Sequence, residues 1–265
     1  MSLCVPFNIF KVINMDFLNE KKSDFLEGRN PVMEALKSGR EIDRLYIQSG
    51  EKNGSINKII SLAKKAKIVI TEVDKKKLDI MSETKSHQGV IAVTPVKEYV
   101  GVEDILNIAK EKGENNFIVI ADEITDPHNL GSILRTCNAA GVHGVIIPKR
   151  RSVGLSSVVA KTSAGAVEYT PVARVSNIAQ TIEKLKKNGV WVVGADMNGD
   201  RTIHTHDFSG NIAIVIGSEG EGISNIVKEK CDFLVTIPML GEITSLNASV
   251  AGSLMIYEVV RARGE

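Results

Sequence analysis

The chain has 265 residues, 43% of them hydrophobic and 25% charged, enough to bury a core in one large domain or two modest ones. A formal net charge of +1 excludes a chain that is basic or acidic throughout, so any contact with nucleic acid must rest on local charge. Cys4, Cys137 and Cys231 lack metal-ligand spacing and fit a reducing, cytoplasmic setting better than a disulfide framework, and no apolar run approaches the roughly 20 residues that span a bilayer.

The start, "MSLCVPFNIFKVINMDFLNE", carries an apolar run broken by Asn8 and Lys11, and no small-residue cleavage site follows it. Residues 1–22 therefore read as an N-terminal extension, disordered or a misplaced start, since Met15 could equally begin translation. Residues 23–96 read as a small α/β domain. Between residues 26 and 95 there are 13 Lys/Arg against 9 Asp/Glu, an excess of four positive charges. Strands are expected at 43–48, 67–72 and 89–95, and helices near 30–38 and 55–66. Residues 97–116 are expected to form a linker with one amphipathic stretch, "VEDILNIAKEKG".

From residue 117 to 265 apolar runs alternate with helical patterns. The runs "FIVIAD" (117–122), "VHGVIIP" (142–148), "VWVVGAD" (190–196), "NIAIVIG" (211–217) and "FLVTIP" (233–238) show no polar alternation. Such runs predict strands buried on both faces of a parallel sheet, in an α/β domain with helices covering it. In "SNIAQTIEKLKK", Ile178, Ile182 and Leu185 fall on one helical face, with Ser176 as the expected N-cap.

Three stretches carry more polar residues than a buried strand end needs. In "DPHNLGSILRTCNAAG" (126–141) a helix is expected from about Asn129, with Leu130, Ile133, Leu134 and Cys137 as its apolar stripe. At about 100° per residue, Arg135 then lies roughly 150° from that stripe, towards a ligand or solvent. An exposed arginine on a surface helix and a simple cap at Asn129 explain the same pattern. "IVIGSEGEGIS" (214–224) runs from a strand into glycines alternating with acids. It has neither a Walker pattern nor a dinucleotide fingerprint, and Glu219 and Glu221 suit a cationic or neutral ligand better than a pyrophosphate; a tight turn with solvated acids fits as well. "IPMLGEITSLNASVAGSLMIYEVVRAR" (237–263) leads from a strand end through a polar loop into a long helix starting around Ser245 or Asn247. Val250, Ala251, Leu254, Met255 and Val259 are its expected core face, while Asn247 and Ser249 in the first turn exceed what capping alone needs.

In this order the three stretches resemble the SpoU branch of the SPOUT class, RNA 2′-O-ribose methyltransferases that use S-adenosylmethionine. The likeness covers roughly residues 117–263, through "NLGSILRT" with Asn129 and Arg135, "IVIGSEGEGIS" with Glu219, and "IPMLGEITSLNASVA" with Asn247 and Ser249. Ser132 stands where the family often has alanine. "LEGRNPVMEAL" (26–36) and "SHQGVIAV" (86–93) resemble the small substrate-binding domain, itself like RNA-binding ribosomal proteins, of bacterial enzymes that methylate a guanosine ribose in 23S rRNA; close relatives modify tRNA or other rRNA sites.

The resemblance implies a parallel-sheet domain whose C-terminal segment threads a loop as a deep trefoil knot, and a homodimer in which Arg135 completes the partner's site. It implies five catalytic residues, Asn129, Arg135, Glu219, Asn247 and Ser249. Cofactor contacts are implied at Ala195, Gly217, Ile237 and Leu246, the glycines letting main chain approach the ligand, and no metal. RNA contacts are expected from Arg29, His87, Lys149, Arg150 and Arg151, with 23S rRNA or an assembling large ribosomal subunit as partner; a solvated face and a turn before a strand are the plainer explanations of the lysines of 52–77 and of His87. A non-catalytic RNA-binding protein on the same fold would not need all five catalytic residues. A nucleotide-dependent oxidoreductase would need a first-strand glycine fingerprint that is missing here.

Overall fold

In a computed structural model of the chain, residues 25–50, 54–82 and 85–264 are described, and they fall into two compact units. The expected N-terminal extension, with Cys4 and Met15, lies outside the described residues.

The first unit, the residues up to Val96 with Ser156–Val158 grouped with them, is built from β1 (Phe25–Glu27), α1 (Arg29–Ser38), β2 (Arg44–Gln48), α2 (Ser55–Lys65), β3 (Val69–Val73), α3 (Lys75–Met81) and β4 (Val90–Val93). Its sheet runs β1-β4-β2-β3, with β4 antiparallel to both neighbours and β2 parallel to β3. Alternate side chains of a strand point to opposite faces. Leu45, Ile47, Val90 and Ala92 accordingly pack with Val32 and Ala35 of α1 and Ile56, Ile59 and Ala63 of α2. Their neighbours Tyr46, Ile91 and Val93 pack with Leu78 and Met81 of α3 on the other side. Neither β1 nor α3 was expected from the sequence, because three and seven residues are too short to establish a period.

The second unit comprises Lys97–Leu155 and Val159–Glu265. In chain order its elements are α4 (Val102–Lys112), β5 (Phe117–Ala121), α5 (Pro127–Ala139), β6 (Gly144–Pro148), α6 (Ser157–Thr162), β7 (Val172–Val175), α7 (Ile178–Lys187), β8 (Trp191–Ala195), β9 (Arg201–Thr202), β10 (Ile212–Ile216), α8 (Asn225–Lys228), β11 (Phe233–Thr236) and α9 (Ala248–Arg263). The sheet runs β7-β6-β5-β10-β8-β11-β9, parallel throughout. The five apolar runs are its strands β5, β6, β8, β10 and β11. The two edge strands, β7 and β9, are short and partly exposed, so they lack the apolar signature of the centre.

One face of the sheet presents Ile118, Ile120, Ile146, Val192, Ala213 and Val215 to Ile178, Ile182 and Leu185 of α7 and to α4. The segment expected to be a linker is therefore part of this core, with Val102, Ile105 and Ala109 buried. Ile105 packs where a Cβ on Gly144 of β6 would sit, so that glycine makes room for α4. On the opposite face α9 lies against β10, and Gly252 leaves space for Ile216, whose Cδ1 is 2.6 Å from the position of an added Cβ.

Three local expectations change. Asp126, not Asn129, caps α5: its carboxylate accepts from the His128 N–H at 2.9 Å, and Pro127 occupies the first turn, where its missing N–H is harmless. Asn177, one residue after Ser176, caps α7 by accepting from the Gln180 N–H. In α9 the core face is Ala248, Gly252, Met255, Ile256 and Val259, whereas Val250 and Leu254 are 47% and 42% exposed. The close approach at Gly252 rotates the stripe expected to be core partly towards solvent.

Two buried histidines set an acid limit on stability. His143 accepts at Nδ1 from the Phe117 N–H (3.0 Å), so Nε2 carries the proton donated to Glu114 (2.9 Å). His206 packs against Phe208 and Phe233, with neither ring nitrogen hydrogen-bonded among the described residues. Burial lowers both pKa values below the ordinary histidine value, outweighing the pull of Glu114 on His143. A histidine whose pKa is depressed by folding contributes stability that is complete above its unfolded value of about 6.5 and is lost as pH falls through the folded value. The urea midpoint should thus be flat above about pH 7.5 and fall below about pH 6.5, and the fall should shrink in His206→Phe. An unchanged acid slope in that variant would assign the loss to other groups.

Candidate active site

Strands β10, β8 and β11 lie side by side and parallel, so their carboxyl ends form one edge. Gly217 directly follows β10, Ala195 ends β8 and Ile237 directly follows β11. Open parallel sheets bind ligands at this edge. Leu246 precedes the N-cap of α9, and all four residues are half-buried.

The glycine–acid loop is held tightly. Ser218 and Gly222 exchange both backbone hydrogen bonds at 3.0 Å, and Gly220 and Gly222 take φ values of 96° and 69°, where a side chain is strained. A Cβ on Gly217 would run into the carbonyl carbon of Gly222 and the nitrogen of Ile223, so only glycine lets the two strands of this loop touch. The loop is anchored by Asp122, the residue after β5, which is 3% exposed. Its Oδ2 accepts from the Ser224 N–H (2.9 Å) and Oγ–H (2.8 Å), while its own N–H donates to the Ile216 carbonyl. Sequence reasoning passed over Asp122; an acid at the end of an apolar strand, facing a Ser in a glycine loop, was the available signal.

Glu219, Asn247 and Ser249 are joined directly. The Asn247 amide donates to Glu219 Oε2 at 3.1 Å, and its Oδ1 accepts from the Ser249 N–H (2.9 Å) and Oγ–H (2.7 Å) and from the Val250 N–H. One side chain therefore caps α9 and ties it to the glycine–acid loop. Replacing such a cap by alanine removes about 1 kcal/mol. Asn247→Ala should lower unfolding free energy in urea by about that amount, whereas Asn247→Ser keeps a capping acceptor without setting a second carboxylate against Glu219 and should stay within about 0.5 kcal/mol of the parent. Equal losses in both would show that the tie to Glu219, not the cap, carries the stability.

Helix α5 packs on α9 through a hydrogen bond between Thr136 and Ser253 (3.0 Å), and Ser253 in turn donates to the Ser249 carbonyl. Arg135, next to Thr136, is exposed and forms no hydrogen bond or ion pair among the described residues. Asn129 is buried one and a half turns earlier, with its stripe residues Leu130, Ile133, Leu134 and Cys137 also buried. The second unit thus supplies all five expected catalytic residues, Glu219, Asn247 and Ser249 in one hydrogen-bonded group and Asn129 and Arg135 on the helix packed beside it.

The expected RNA-contacting residues divide between the units. Lys149, Arg150 and Arg151 follow β6 at the same edge of the sheet as Gly217. Arg151 is paired to Glu123 at 3.0 Å; both take left-handed φ values, 55° and 57°, although neither is glycine. In the first unit Arg29 donates from Nε to the Gln88 carbonyl (3.0 Å). His87 is 4% exposed and lines a concavity of the first unit with Arg29 and Gln88. Its Nδ1 accepts from the Gly89 N–H (3.0 Å), and its Nε2–H donates to Asp79 (3.0 Å). These bonds tie the histidine into the turn before β4. Among the described residues no cluster of three or more His, Cys, Asp or Glu could hold a metal ion, and no helix is long and apolar enough to cross a membrane.

Comparison with known proteins bears on both units. Residues 116–257 match the SpoU rRNA Methylase family, and residues 25–100 match a family described as RNA 2′-O ribose methyltransferase substrate binding. A Bacillus subtilis protein named for the TrmH family of tRNA/rRNA methyltransferases is 49% identical over 92% of this chain and 97% of its own length. A Staphylococcus aureus protein with the same family name is 50% identical over 89% of this chain and 95% of its own. Among solved structures, a SpoU methyltransferase from Streptomyces viridochromogenes is similar at 26% identity and a TM-score of 0.56, covering 90% of this chain and 89% of that one. An rRNA methyltransferase from Sinorhizobium meliloti is similar at 26% identity and a TM-score of 0.56, covering 89% and 86%.

Proposed function

The chain belongs to the SpoU rRNA methylase family of RNA 2′-O-ribose methyltransferases, and on that premise we propose that it methylates a guanosine ribose in 23S rRNA, using S-adenosylmethionine, as a cytoplasmic homodimer. The observation that carries this reading is the meeting, at one end of the sheet, of a backbone-lined loop at Gly217 with the Glu219–Asn247–Ser249 group. The bare main chain of Gly217, beside the strand ends at Ala195 and Ile237, suits a cofactor held by backbone groups. Glu219 and Glu221 suit a sulfonium cation and would repel a pyrophosphate.

When bound, the sulfonium supplies an electrophilic methyl group. The ribose 2′-oxygen would take that methyl group, the carbon–sulfur electron pair staying on sulfur, and the hydroxyl proton would pass to an acceptor held by this chain or its substrate. Arginine stays protonated at any working pH. Arg135 therefore acts as a donor that grips the target phosphate and stabilises the developing alkoxide, with that phosphate or Glu219 taking the proton. Asn129 and Ser249 orient Arg135 and the ribose, and Asn247 shapes the cofactor loop. Holding the oxygen in line with the methyl group can by itself supply about 7–11 kcal/mol.

Dimer formation is supported by the solvent-facing stripe of α9, Val250, Leu254 and Tyr257, at i, i+4 and i+7 and 42–51% exposed. In this reading Arg135 completes the partner's site, the C-terminal segment threads a loop as a deep trefoil knot, and Lys149, Arg150 and Arg29 meet RNA phosphates. The test is transfer of labelled methyl from S-adenosylmethionine to unmodified total RNA, followed by identification of the labelled nucleoside. Label in 2′-O-methylguanosine of 23S rRNA is the expected result. Label on tRNA would keep the reaction and move the substrate. No label on free RNA or on immature ribosomal particles would overturn the reading.

A further inference from the structure

The first unit contains a concavity of about 530 Å³ that the methyl-transfer chemistry does not use. It lies among the start of α1, the end of β2, the start of α2, α3 and the turn before β4. Pockets of about 300–1,000 Å³ hold ligands of nucleotide size. Ile56, itself buried, is the one hydrophobic side chain among the described residues that line the concavity. Among the described residues its walls carry three cations, Arg29, Lys75 and Lys85, against one carboxylate, Asp79. His87 also lines it, with both ring nitrogens engaged internally, by Gly89 and by Asp79.

The turn that forms one wall is set rather than loose. Lys85 and Gln88 hold φ values of 55° and 49°, a conformation that side chains rarely adopt. Arg29 fixes it twice, donating from its backbone N–H to Gln88 Oε1 (3.2 Å) and from Nε to the Gln88 carbonyl (3.0 Å). Gln48 stands on the wall at the end of β2, with an amide that can both donate and accept.

We propose that this concavity seats one unstacked nucleotide of single-stranded RNA, its phosphate met by Lys75 and Lys85 and its base edge by the Gln48 amide. Amide groups that can pair with a base edge and a surplus of positive charge for phosphate are two of the means by which proteins hold an unstacked base of single-stranded RNA. The inference rests on the reading of RNA as substrate and deepens it, assigning the first unit a specific grip on an unpaired segment of that RNA.

The test uses the full chain and a fluorescein-labelled single-stranded RNA decamer, read by anisotropy, with the same decamer annealed to its complement as competitor. The double variant Lys75→Ala/Lys85→Ala should weaken single-strand binding by about tenfold or more. Ser49→Trp fills the cavity without altering charge, since Ser49 lines it and its backbone N–H bonds to Val73 regardless of the side chain. It should weaken binding comparably, and the duplex should compete poorly. Parent-like binding by a folded Ser49→Trp, or equal competition by duplex, would reduce the site to a charged patch and overturn the proposal. A second readout needs no variant: a decamer containing 4-thiouridine should cross-link to peptides carrying Gln48 or Gln88, and cross-links confined to residues beyond 96 would also overturn it. Because neither readout involves methyl transfer, a seated nucleotide with no labelled product would sink the enzymatic reading and leave this one standing.

Discussion

Arg135→Ala is expected to lower kcat for methyl transfer by about 10²–10³-fold, the loss seen when one preorganised donor to a developing oxyanion is removed. The fold should survive, because Arg135 is exposed on α5 and the buried face of that helix is Leu130, Ile133, Leu134 and Cys137. Cofactor affinity should stay within about twofold of the parent, since a group that acts on phosphate and alkoxide contributes to the transition state rather than to cofactor binding. Arg135→Lys separates charge from geometry. Lysine keeps the positive charge but loses the planar fork that meets two phosphate oxygens at once, so kcat should fall well below the parent while the melting temperature holds. Parent-like single-turnover rates in Arg135→Lys would show that charge alone suffices. Parent-like rates in Arg135→Ala would remove Arg135 from the site.

Gly217→Ala should act on the other half of the reaction. The added Cβ would meet the backbone of Gly222 and Ile223, and backbone cannot swing aside as a long side chain can. The mutual hydrogen bonds of Ser218 and Gly222 would have to open, and with them the position of Ser224 on Asp122. Overpacking of this kind costs about 1–3 kcal/mol, and every 1.4 kcal/mol that falls on the bound state is about tenfold in affinity. Calorimetric titration with S-adenosylmethionine should therefore show binding weakened by about tenfold or more, with a lowered melting temperature. Gly210→Ala, before β10 and outside the cofactor segments, is the control. An added Cβ there meets nothing within 4 Å, and both quantities should be unchanged. Equal cofactor affinity in Gly217→Ala and the parent would mean that this loop does not form the cofactor cradle.

The two variants also report on different elements. Arg135 belongs to α5, and Gly217 to the turn after β10; α9 touches both, through Thr136–Ser253 and through Asn247–Glu219. A variant that loosens the cap of α9, such as Asn247→Ala, should thus show part of each defect.

Much of this architecture is carried by local pattern. The apolar runs at 117–122, 190–196 and 211–217 determine central strands, because a residue buried on both faces of a parallel sheet leaves no room for polar alternation. The glycine spacing of 217–222 and the polar first turn at Asn247 and Ser249 are legible for a similar reason: each demands a particular residue type within a few positions. Periodicity also gave α4, but not its place. An amphipathic stripe looks the same on a tether as on a core helix, and it was Ile105 against Gly144 that drew α4 into the domain. The exposure of Val250 and Leu254 was hidden for the same cause, since which side of α9 meets the sheet depends on the approach at Gly252.

By itself, then, the sequence determined the α/β class, the central strands and the residue types of the site, since these follow from hydrophobic spacing and from the conformations that glycine, proline and capping residues permit. Tertiary structure decided the strand order that brings Gly217, Ala195 and Ile237 to one edge, the joining of Glu219 to Asn247 across 28 positions of chain, and the burial of His87 behind its own turn. Those facts depend on contacts between distant segments, which no local pattern encodes.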